Sequence, residues 1–222
     1  MMKHANTAPP DALLLLTSRC PHCPVVLQGL GELVKKGRIG RLEAVNIEAH
    51  PEVAEQYGVR TVPWIRLGAF ELEGLHTPAE LEQWAQRATA DDGLAQYYAE
   101  LLRQGQLSRV LSAIRRHSDH LAALLALAAD PDIDLTIRIG VSAVIEEYAG
   151  SPLLQEQLAS LLELARHSDP RVRADAAHFL ALSGNEAARA ALETLVQDPE
   201  PAVREVAVDS LEALQASLRE AD

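Results

Sequence analysis

The 222-residue sequence predicts two domains of different class, an α/β domain with the element order β-α-β-α-β-β-α followed by an all-α solenoid. Short apolar runs alternate with segments of helical period in the first part, whereas every later segment has helical period. The charge changes at the same place, since residues 1–90 hold 9 Lys/Arg and 10 Asp/Glu, while residues 91–222 hold 11 and 22 and contain no lysine or cysteine. The predicted boundaries are a lead-in at 1–10, the α/β domain at 11–88, a linker at 89–93 and the solenoid at 94–222.

The α/β domain is predicted to begin with the continuous apolar run Ala12–Leu16, which suits a strand buried on both faces. Apolar residues at helical spacing then predict a helix from Val25 to Lys36. The remaining predicted elements are a strand at Leu42–Ile47, a helix at Pro51–Tyr57, strands at Thr61–Leu67 and Ala69–Gly74, and a helix that ends near Ala88. Thr77 and Glu80 have the spacing of a capping box, which marks the start of that last helix.

Repeats with steps of 35 and 31 residues predict the solenoid. A Val-Arg or Ile-Arg pair recurs at Arg138, Arg173 and Arg204, each time followed by small and apolar residues that allow helices to approach closely. Three Asp-Pro pairs lie nearby, at Asp130, Asp169 and Asp198. Because an aspartate can cap free N–H groups and a proline suits the first helical turn, each pair is expected to set a helix start. We expect seven or eight helices between residues 94 and 220.

Charge and hydropathy exclude several classes of partner. The formal net charge of −12 repels nucleic acid phosphates and anionic lipid, so no nucleic acid and no membrane is expected as a partner. The longest apolar runs, Ala12–Leu16 and Leu121–Ala129, are far shorter than the about 18 residues that cross a bilayer, and the first is too short for a signal peptide. We therefore expect a cytoplasmic protein whose acidic solenoid favours a partner with a basic surface.

The two cysteines of the chain stand in the motif Cys20-Pro21-His22-Cys23, between the first predicted strand and helix. A helix N-terminus stabilises a thiolate, which is the form that attacks disulfides, so Cys20 is the predicted nucleophile. Cys23 is close enough to resolve the product by closing a disulfide. Pro21 fixes the shape of the turn, and a protonated or donating His22 adds positive potential beside the thiolate.

The cysteine pair has two other interpretations. The pair would supply only half of a four-ligand zinc site, and the seven histidines outside the motif are expected to be scattered, most of them solvated or packed, so no metal site is predicted. A purely structural pair is the second alternative. A cytoplasmic chain with a βαβ context favours redox chemistry, for which the Cys20–Cys23 disulfide is itself the redox group and no further cofactor is expected.

The motif Cys20-Pro21-His22-Cys23 and the run from Asn46 to Pro63 resemble the thioredoxin/glutaredoxin superfamily. The run is similar in its Asn-Ile-acid, Tyr-Gly-Val-Arg and Val-Pro positions. The resemblance implies a cis peptide bond between Val62 and Pro63, lying opposite the cysteines and beside an extended substrate segment. Trp64 would then border this substrate groove or, as the alternative, pack in the core. The stretch from Asp169 to Leu180 resembles HEAT-like repeats of a short bacterial form, which implies a protein-binding scaffold.

The sequence departs from the thioredoxin pattern at two strand positions. Thioredoxins carry a buried aspartate and a lysine that help to deprotonate the resolving cysteine, and the corresponding residues in this chain are Leu14 and Ala44. The glutathione clamp of glutaredoxins is replaced by the sequence Glu73-Gly74-Leu75-His76-Thr77. His22 or water is therefore expected to take the second proton, and glutathione is not expected to be a dedicated ligand.

These observations predict a protein-disulfide oxidoreductase that exchanges the Cys20/Cys23 dithiol and disulfide with a protein client docked on the HEAT-like repeats. The expected partners are a client with a disulfide or thiol and a cellular reductant such as a thioredoxin reductase or glutathione. The alternative is a non-enzymatic adaptor, assembly chaperone or redox sensor, in which the thioredoxin-like domain serves recognition.

Overall fold

A computed structural model describes residues 8–221, so most of the predicted lead-in at 1–10 lies outside the described residues. The chain divides into two compact units between Tyr97 and Tyr98, inside a helix that spans Gly93–Arg103. The first unit is α/β and the second is helical, as the sequence predicts.

The first unit contains a four-stranded sheet with helices, in the predicted element order. Its elements are β1 (Ala12–Leu16), α1 (Cys23–Lys35), β2 (Leu42–Asn46), α2 (Pro51–Tyr57), β3 (Trp64–Leu67), β4 (Phe70–Glu73) and α3 (Pro78–Arg87). The strand order is β2-β1-β3-β4, with β2 parallel to β1 and β3 antiparallel to both β1 and β4. Leu14 of β1 lies between Ala44 of β2 and Ile65 of β3.

The third strand is shorter than the sequence predicts. It begins at Trp64 instead of Thr61, because Pro63 has no N–H to donate to a ladder. The carbonyl of Pro63 is still used, since it accepts a hydrogen bond from the N–H of Gly74 at 2.8 Å. The proline thus lies directly before the first residue of β3.

Apolar side chains pack on both faces of the sheet. Leu14, Leu30 and Ile65 are fully buried, and α1 approaches α3 so closely that a Cβ atom on Gly29 would lie 2.9 Å from Leu81 Cδ1. A second cluster joins Leu13, Leu15 and Trp64 to partly buried residues of β2, of α2 and of the segments that follow them, namely Val45, Ile47, Val53, Tyr57, Val59 and Val62. Both faces of β1 are therefore covered, with Leu14 on one face and Leu13 and Leu15 on the other.

Local signals set the ends of two helices in this unit. The predicted capping box is confirmed at α3, where Thr77 N–H donates to Glu80 Oε2 at 2.7 Å and Glu80 N–H donates to Thr77 Oγ1 at 3.3 Å. Helix α2 ends at Gly58, whose φ of 65° is in the left-handed region that glycine adopts without strain.

The described part of the second unit, together with the helix that leads into it, contains nine α-helices, whereas the sequence predicts seven or eight. They are α4 (Gly93–Arg103), α5 (Leu107–Arg116), α6 (Leu121–Ala128), α7 (Leu135–Glu147), α8 (Pro152–Gln155), α9 (Leu158–Leu164), α10 (Pro170–Leu182), α11 (Arg189–Leu195) and α12 (Pro201–Ala221). The count exceeds the prediction because short turns separate pieces such as α8 and α9.

The Asp-Pro pairs set a helix start at only one of three places. Asp169 caps α10 by accepting a hydrogen bond from Arg171 N–H at 2.8 Å. Asp130 and Asp198 instead accept from the N–H two residues on, at 2.9 Å in each case, and form turns that precede α7 and α12. The prediction fails there because an aspartate stabilises a turn by the same hydrogen bond that it uses in a cap.

The repeated arginines join one repeat to the next. Arg173 donates from Nε and Nη2 to the two carboxylate oxygens of Asp198, at 2.8 and 2.9 Å, and from Nη1 to the carbonyl of His167 at 2.9 Å. Arg204 donates to the carbonyl of Asp198 at 2.8 Å, and Arg138 lies 3.5 Å from Asp175 of the following repeat. The sequence marked these arginines only as signs of a repeat.

Candidate functional site

The two cysteines form a disulfide where the loop after β1 enters α1. Their Cα atoms are 5.5 Å apart. Cys23 is the first residue of α1 and is only 3% exposed, whereas Cys20 is half-buried in the preceding loop. An approaching thiol or disulfide therefore reaches the sulfur of Cys20 more easily than that of Cys23.

The start of α1 directs a hydrogen-bond donor at Cys20. The N–H of Cys23 donates to Cys20 Sγ at 3.1 Å. His22 is the N-cap residue but makes no side-chain cap, and the first turn of α1 contains no acidic residue. Because neither the N-cap side chain nor an acidic residue of the first turn takes up the N–H groups at this helix end, the donor remains available to a thiolate on Cys20 once the disulfide is reduced.

Polar residues at the end of β2 hold the loop that leads to Cys20. Ser18 N–H donates to Glu48 Oε2 at 3.0 Å, and Asn46 Nδ2 donates to Ser18 Oγ at 3.1 Å. Asn46 Oδ1 in turn accepts from Glu48 N–H at 2.9 Å. The pKa of Glu48 is lowered mainly by a hydrogen bond from the Ser18 hydroxyl. The hydrogen bond from the Ser18 N–H is the second cause.

This network is not among the predicted features of the sequence, although the strand order contains a signal for it. In the sequence, Asn46 and Glu48 contribute only to the resemblance of the run from Asn46 to Pro63. Strands β1 and β2 are parallel and pair Leu16 with Asn46, so residues that follow both strands meet at one edge of the sheet. Ser18, Asn46 and Glu48 all lie there.

None of the three predicted groove residues is exposed, since Val62 is half-buried and Pro63 and Trp64 are buried. The peptide bond between Val62 and Pro63 is cis. Leu15 pairs with Trp64 in antiparallel register, so Pro63 lies at the same sheet edge as the loop that carries Cys20. Trp64 itself is 2% exposed and contacts the cluster of Leu13 and Leu15. Of the two interpretations of Trp64, its burial in this cluster supports packing in the core.

Leu14 and Ala44 occupy the two strand positions at which the thioredoxin pattern has an aspartate and a lysine. The two residues are partners in the parallel register of β1 and β2, and Leu14 is fully buried. Neither side chain can carry a proton. Among the motif residues, Pro21 and His22 are both exposed. The only ionisable group within the motif besides the thiols is thus the imidazole of His22.

Comparison with known families agrees with this architecture. Residues 12–86 match a family described as a thioredoxin domain, and residues 121–212 match a family described as HEAT repeats. No curated protein matches the chain with significant similarity. The chain therefore combines a thioredoxin-like domain with HEAT-like repeats, as predicted. The closely spaced cysteine pair in that domain supports a redox role, and the repeats suggest protein–protein interaction.

Two further findings concern ligands and membranes. None of the helices in residues 8–221 is both long and apolar enough to span a bilayer. In the same residues, one group of three side chains has donor atoms close enough to share a metal ion, namely His117, Asp119 and His120. This group lies in the helical unit and contains neither cysteine.

Proposed function

We propose that the chain is a cytoplasmic thiol–disulfide oxidoreductase that acts on a protein client docked on its HEAT-like repeats. The observation that carries this proposal is the asymmetry of the cysteine pair. The half-buried Cys20 sulfur accepts the Cys23 N–H at 3.1 Å, whereas Cys23 is buried as the first residue of α1. One sulfur is thus placed to attack and the other to resolve.

In the reductive direction, the Cys20 thiolate attacks one sulfur of a client disulfide. A mixed disulfide between Cys20 and the client forms, and the client's other sulfur leaves as a thiolate, which takes a proton from water. The Cys23 thiolate then attacks Cys20 Sγ, closes the Cys20–Cys23 disulfide and releases the client's second thiolate. Two electrons pass from the protein to the client, and the reverse sequence oxidises a client dithiol.

Loss of the Cys23 proton is the step in which this chain differs from the thioredoxin pattern. Leu14 and Ala44 offer no carboxylate or amine, so water or the exposed imidazole of the adjacent His22 takes the proton. We expect the resolving step to be slow compared with the attack, which lengthens the life of the mixed disulfide.

The repeats supply the proposed docking surface. Residues 91–222 hold 22 acidic and 11 basic residues, so a client with a basic surface is the favoured partner. Binding to the repeats would raise the effective concentration of the client disulfide near Cys20. A cellular dithiol system such as a thioredoxin reductase, or glutathione, would return the Cys20–Cys23 disulfide to the dithiol.

Reduction of insulin by dithiothreitol tests the chemistry in the full chain. We expect native protein to accelerate the reaction and Cys20→Ser to fall to the rate of dithiothreitol alone. When reduced Cys23→Ser is mixed with insulin after dithiothreitol has been removed, we expect it to stop as a stoichiometric mixed disulfide, because no second thiol resolves it. Far-UV circular dichroism verifies that both variants are folded. Equal rates for native protein and Cys20→Ser would refute the proposed enzymatic activity and favour the alternative of a non-enzymatic adaptor.

Docking is tested separately with two disulfide-containing peptides that differ only in flanking lysines or glutamates. We expect the lysine peptide to be reduced with the higher kcat/KM, and the difference to shrink when the salt is raised from about 20 to 500 mM, since salt screens exposed charges. Equal kcat/KM values at low salt would contradict docking by charge without contradicting the thiol chemistry.

A further inference from the structure

A turn between two helices of the second unit brings three metal-binding side chains together. His117 follows α5, and Ser118–His120 form a 3₁₀ turn that leads into α6. One potential ligand atom each from His117, Asp119 and His120 lie within 4.8 Å of one another. His117 and Asp119 are exposed, whereas His120 is 7% exposed.

A backbone hydrogen bond explains why the two imidazoles meet. The N–H of His120 donates to the carbonyl of His117 at 3.0 Å, which closes the turn and brings the two residues together. The rings of His117 and His120 stack with centroids 4.8 Å apart and an interplanar angle of 23°. The histidines therefore form a His-x-x-His pair, and their interpretation as scattered residues is wrong at these two positions.

The buried imidazole is already oriented by a residue of α4. The hydroxyl of Tyr98 lies 2.6 Å from His120 Nδ1, and Tyr98 is itself fully buried. Hydrogen bonding at one ring nitrogen fixes the orientation of a metal-binding histidine and leaves the other nitrogen to the metal.

We propose that His117, Asp119 and His120 bind a divalent cation of the zinc class, with water completing the coordination. Two imidazoles and one carboxylate form the donor set that zinc accepts at sites with an open position. Zinc bonds of about 2.0–2.1 Å place neighbouring ligands about 3.3 Å apart, so the ligand atoms must close by about 1.5 Å from their widest possible separation. The exposed side chains of His117 and Asp119 can make that movement while His120 stays fixed.

The site is independent of the proposed thiol chemistry, because no sulfur takes part in it. A metal that bridges these three residues would tie the C-terminal end of α5 to the start of α6. It would also stabilise the folded helical unit, since it binds the native turn and not the unfolded chain.

The test uses full-length Cys20→Ser/Cys23→Ser protein, which cannot bind metal through thiolates. Zinc chloride is titrated into chelator-treated protein by isothermal calorimetry, and the melting temperature is measured with and without zinc. We expect one saturable equivalent and a higher melting temperature. Replacing either exposed ligand, as His117→Gln or Asp119→Asn, is expected to weaken zinc binding by about tenfold or more.

His50→Gln in the same background is the matched control. His50 is also exposed and lies 3.2 Å from a carboxylate oxygen of Glu52, yet no second histidine joins them in the described structure. Zinc affinity should be unchanged in this variant. The absence of a stoichiometric site in the double-serine protein, or equal affinities for it and its His117→Gln derivative, would overturn the proposal.

Discussion

Glu48 accepts a hydrogen bond from the backbone N–H of Ser18 at 3.0 Å, which ties the turn after β2 to the loop that leads to Cys20. The acceptor is an exposed carboxylate, but its partner is the backbone of the loop, so the contact restrains the path of the chain. Asn46 restrains the Ser18 hydroxyl from the same turn. Two residues that are distant in sequence therefore help to position Cys20, the proposed nucleophile.

We expect Glu48→Ala to lower the rate of insulin reduction by up to about tenfold, because the loss of the hydrogen bonds from Ser18 loosens the loop without removing either thiol. Glu43→Gln, at an exposed residue of β2, is the control and should retain the native rate. An undiminished rate in Glu48→Ala would contradict the role of this contact.

The hydrogen bonds from the Ser18 hydroxyl and N–H lower the pKa of Glu48, so their contribution to stability depends on pH. Because the carboxylate form is favoured in the folded state, the contribution to stability is present above the ordinary value of 4.5 and is lost as the pH falls through the lower folded-state pKa. Urea unfolding followed by tryptophan fluorescence reports on this unit, because Trp64 and Trp84 both lie in it. Native protein and Glu48→Gln should differ at pH 7 and converge well below pH 4.5.

The parts of the fold that sequence predicts well are those set by local pattern. The buried run Ala12–Leu16, the Thr77/Glu80 capping box and the order of the seven α/β elements each depend on neighbouring residues. The contact between Ser18 and Glu48 joins residues 30 apart and needs the register of β1 and β2. The role of Trp64 likewise depends on which residues surround it, since an aromatic side chain suits both a groove and a core.

Arg173 and Asp198 form the best-buried ion pair among those that the described repeats show, with side chains 14% and 6% exposed. Arg173→Ala leaves the Asp198 carboxylate without its guanidinium, so we expect the free energy of unfolding to fall by about 2–4 kcal/mol. Far-UV circular dichroism in urea measures the loss. Arg171→Ala is the control on the same helix, since Arg171 pairs with Asp169 at the surface, and a loss of equal size there would contradict the explanation.

The same pair predicts a pH effect. The hydrogen bond from Arg173 is the main cause of a lowered pKa at Asp198. The stabilising effect is therefore complete above the usual 3.8 and is lost as the pH falls through the lower folded-state value. The difference between native protein and Arg173→Ala should shrink as the pH is lowered below 3.8. A constant difference from pH 7 to pH 2 would contradict this assignment.

Two glycines of α1 should respond to alanine with opposite signs. A Cβ atom on Gly31 meets nothing within 4 Å, so Gly31→Ala is expected to stabilise the helix by about 0.5–1 kcal/mol. At Gly29 the added atom would lie 2.9 Å from a methyl of the fully buried Leu81, and forcing α1 from α3 should cost about 1–2 kcal/mol. Tryptophan fluorescence in urea measures both. Stabilisation in both variants would show that α3 can move aside.

Substitution of Val25 tests whether the N-terminal end of α1 stabilises the Cys20 thiolate. Val25 lies in the first turn of α1 and is 47% exposed, so a glutamate there would reach water while placing a negative charge at the positive end of the helix. Val25→Glu should raise the free energy of unfolding by about 0.3–1 kcal/mol and yet disfavour the Cys20 thiolate, because both charges compete for the same N–H groups. We expect iodoacetamide to alkylate Cys20 of the reduced protein more slowly at pH 7. The pH at which the alkylation rate is half-maximal should move towards about 8.5, the pKa of an ordinary thiol. Val25→Gln has the same length without the charge and should leave the alkylation profile near that of native protein. If Val25→Glu and Val25→Gln react alike, the field of α1 does not control the nucleophile, and the hydrogen bond from Cys23 must act alone.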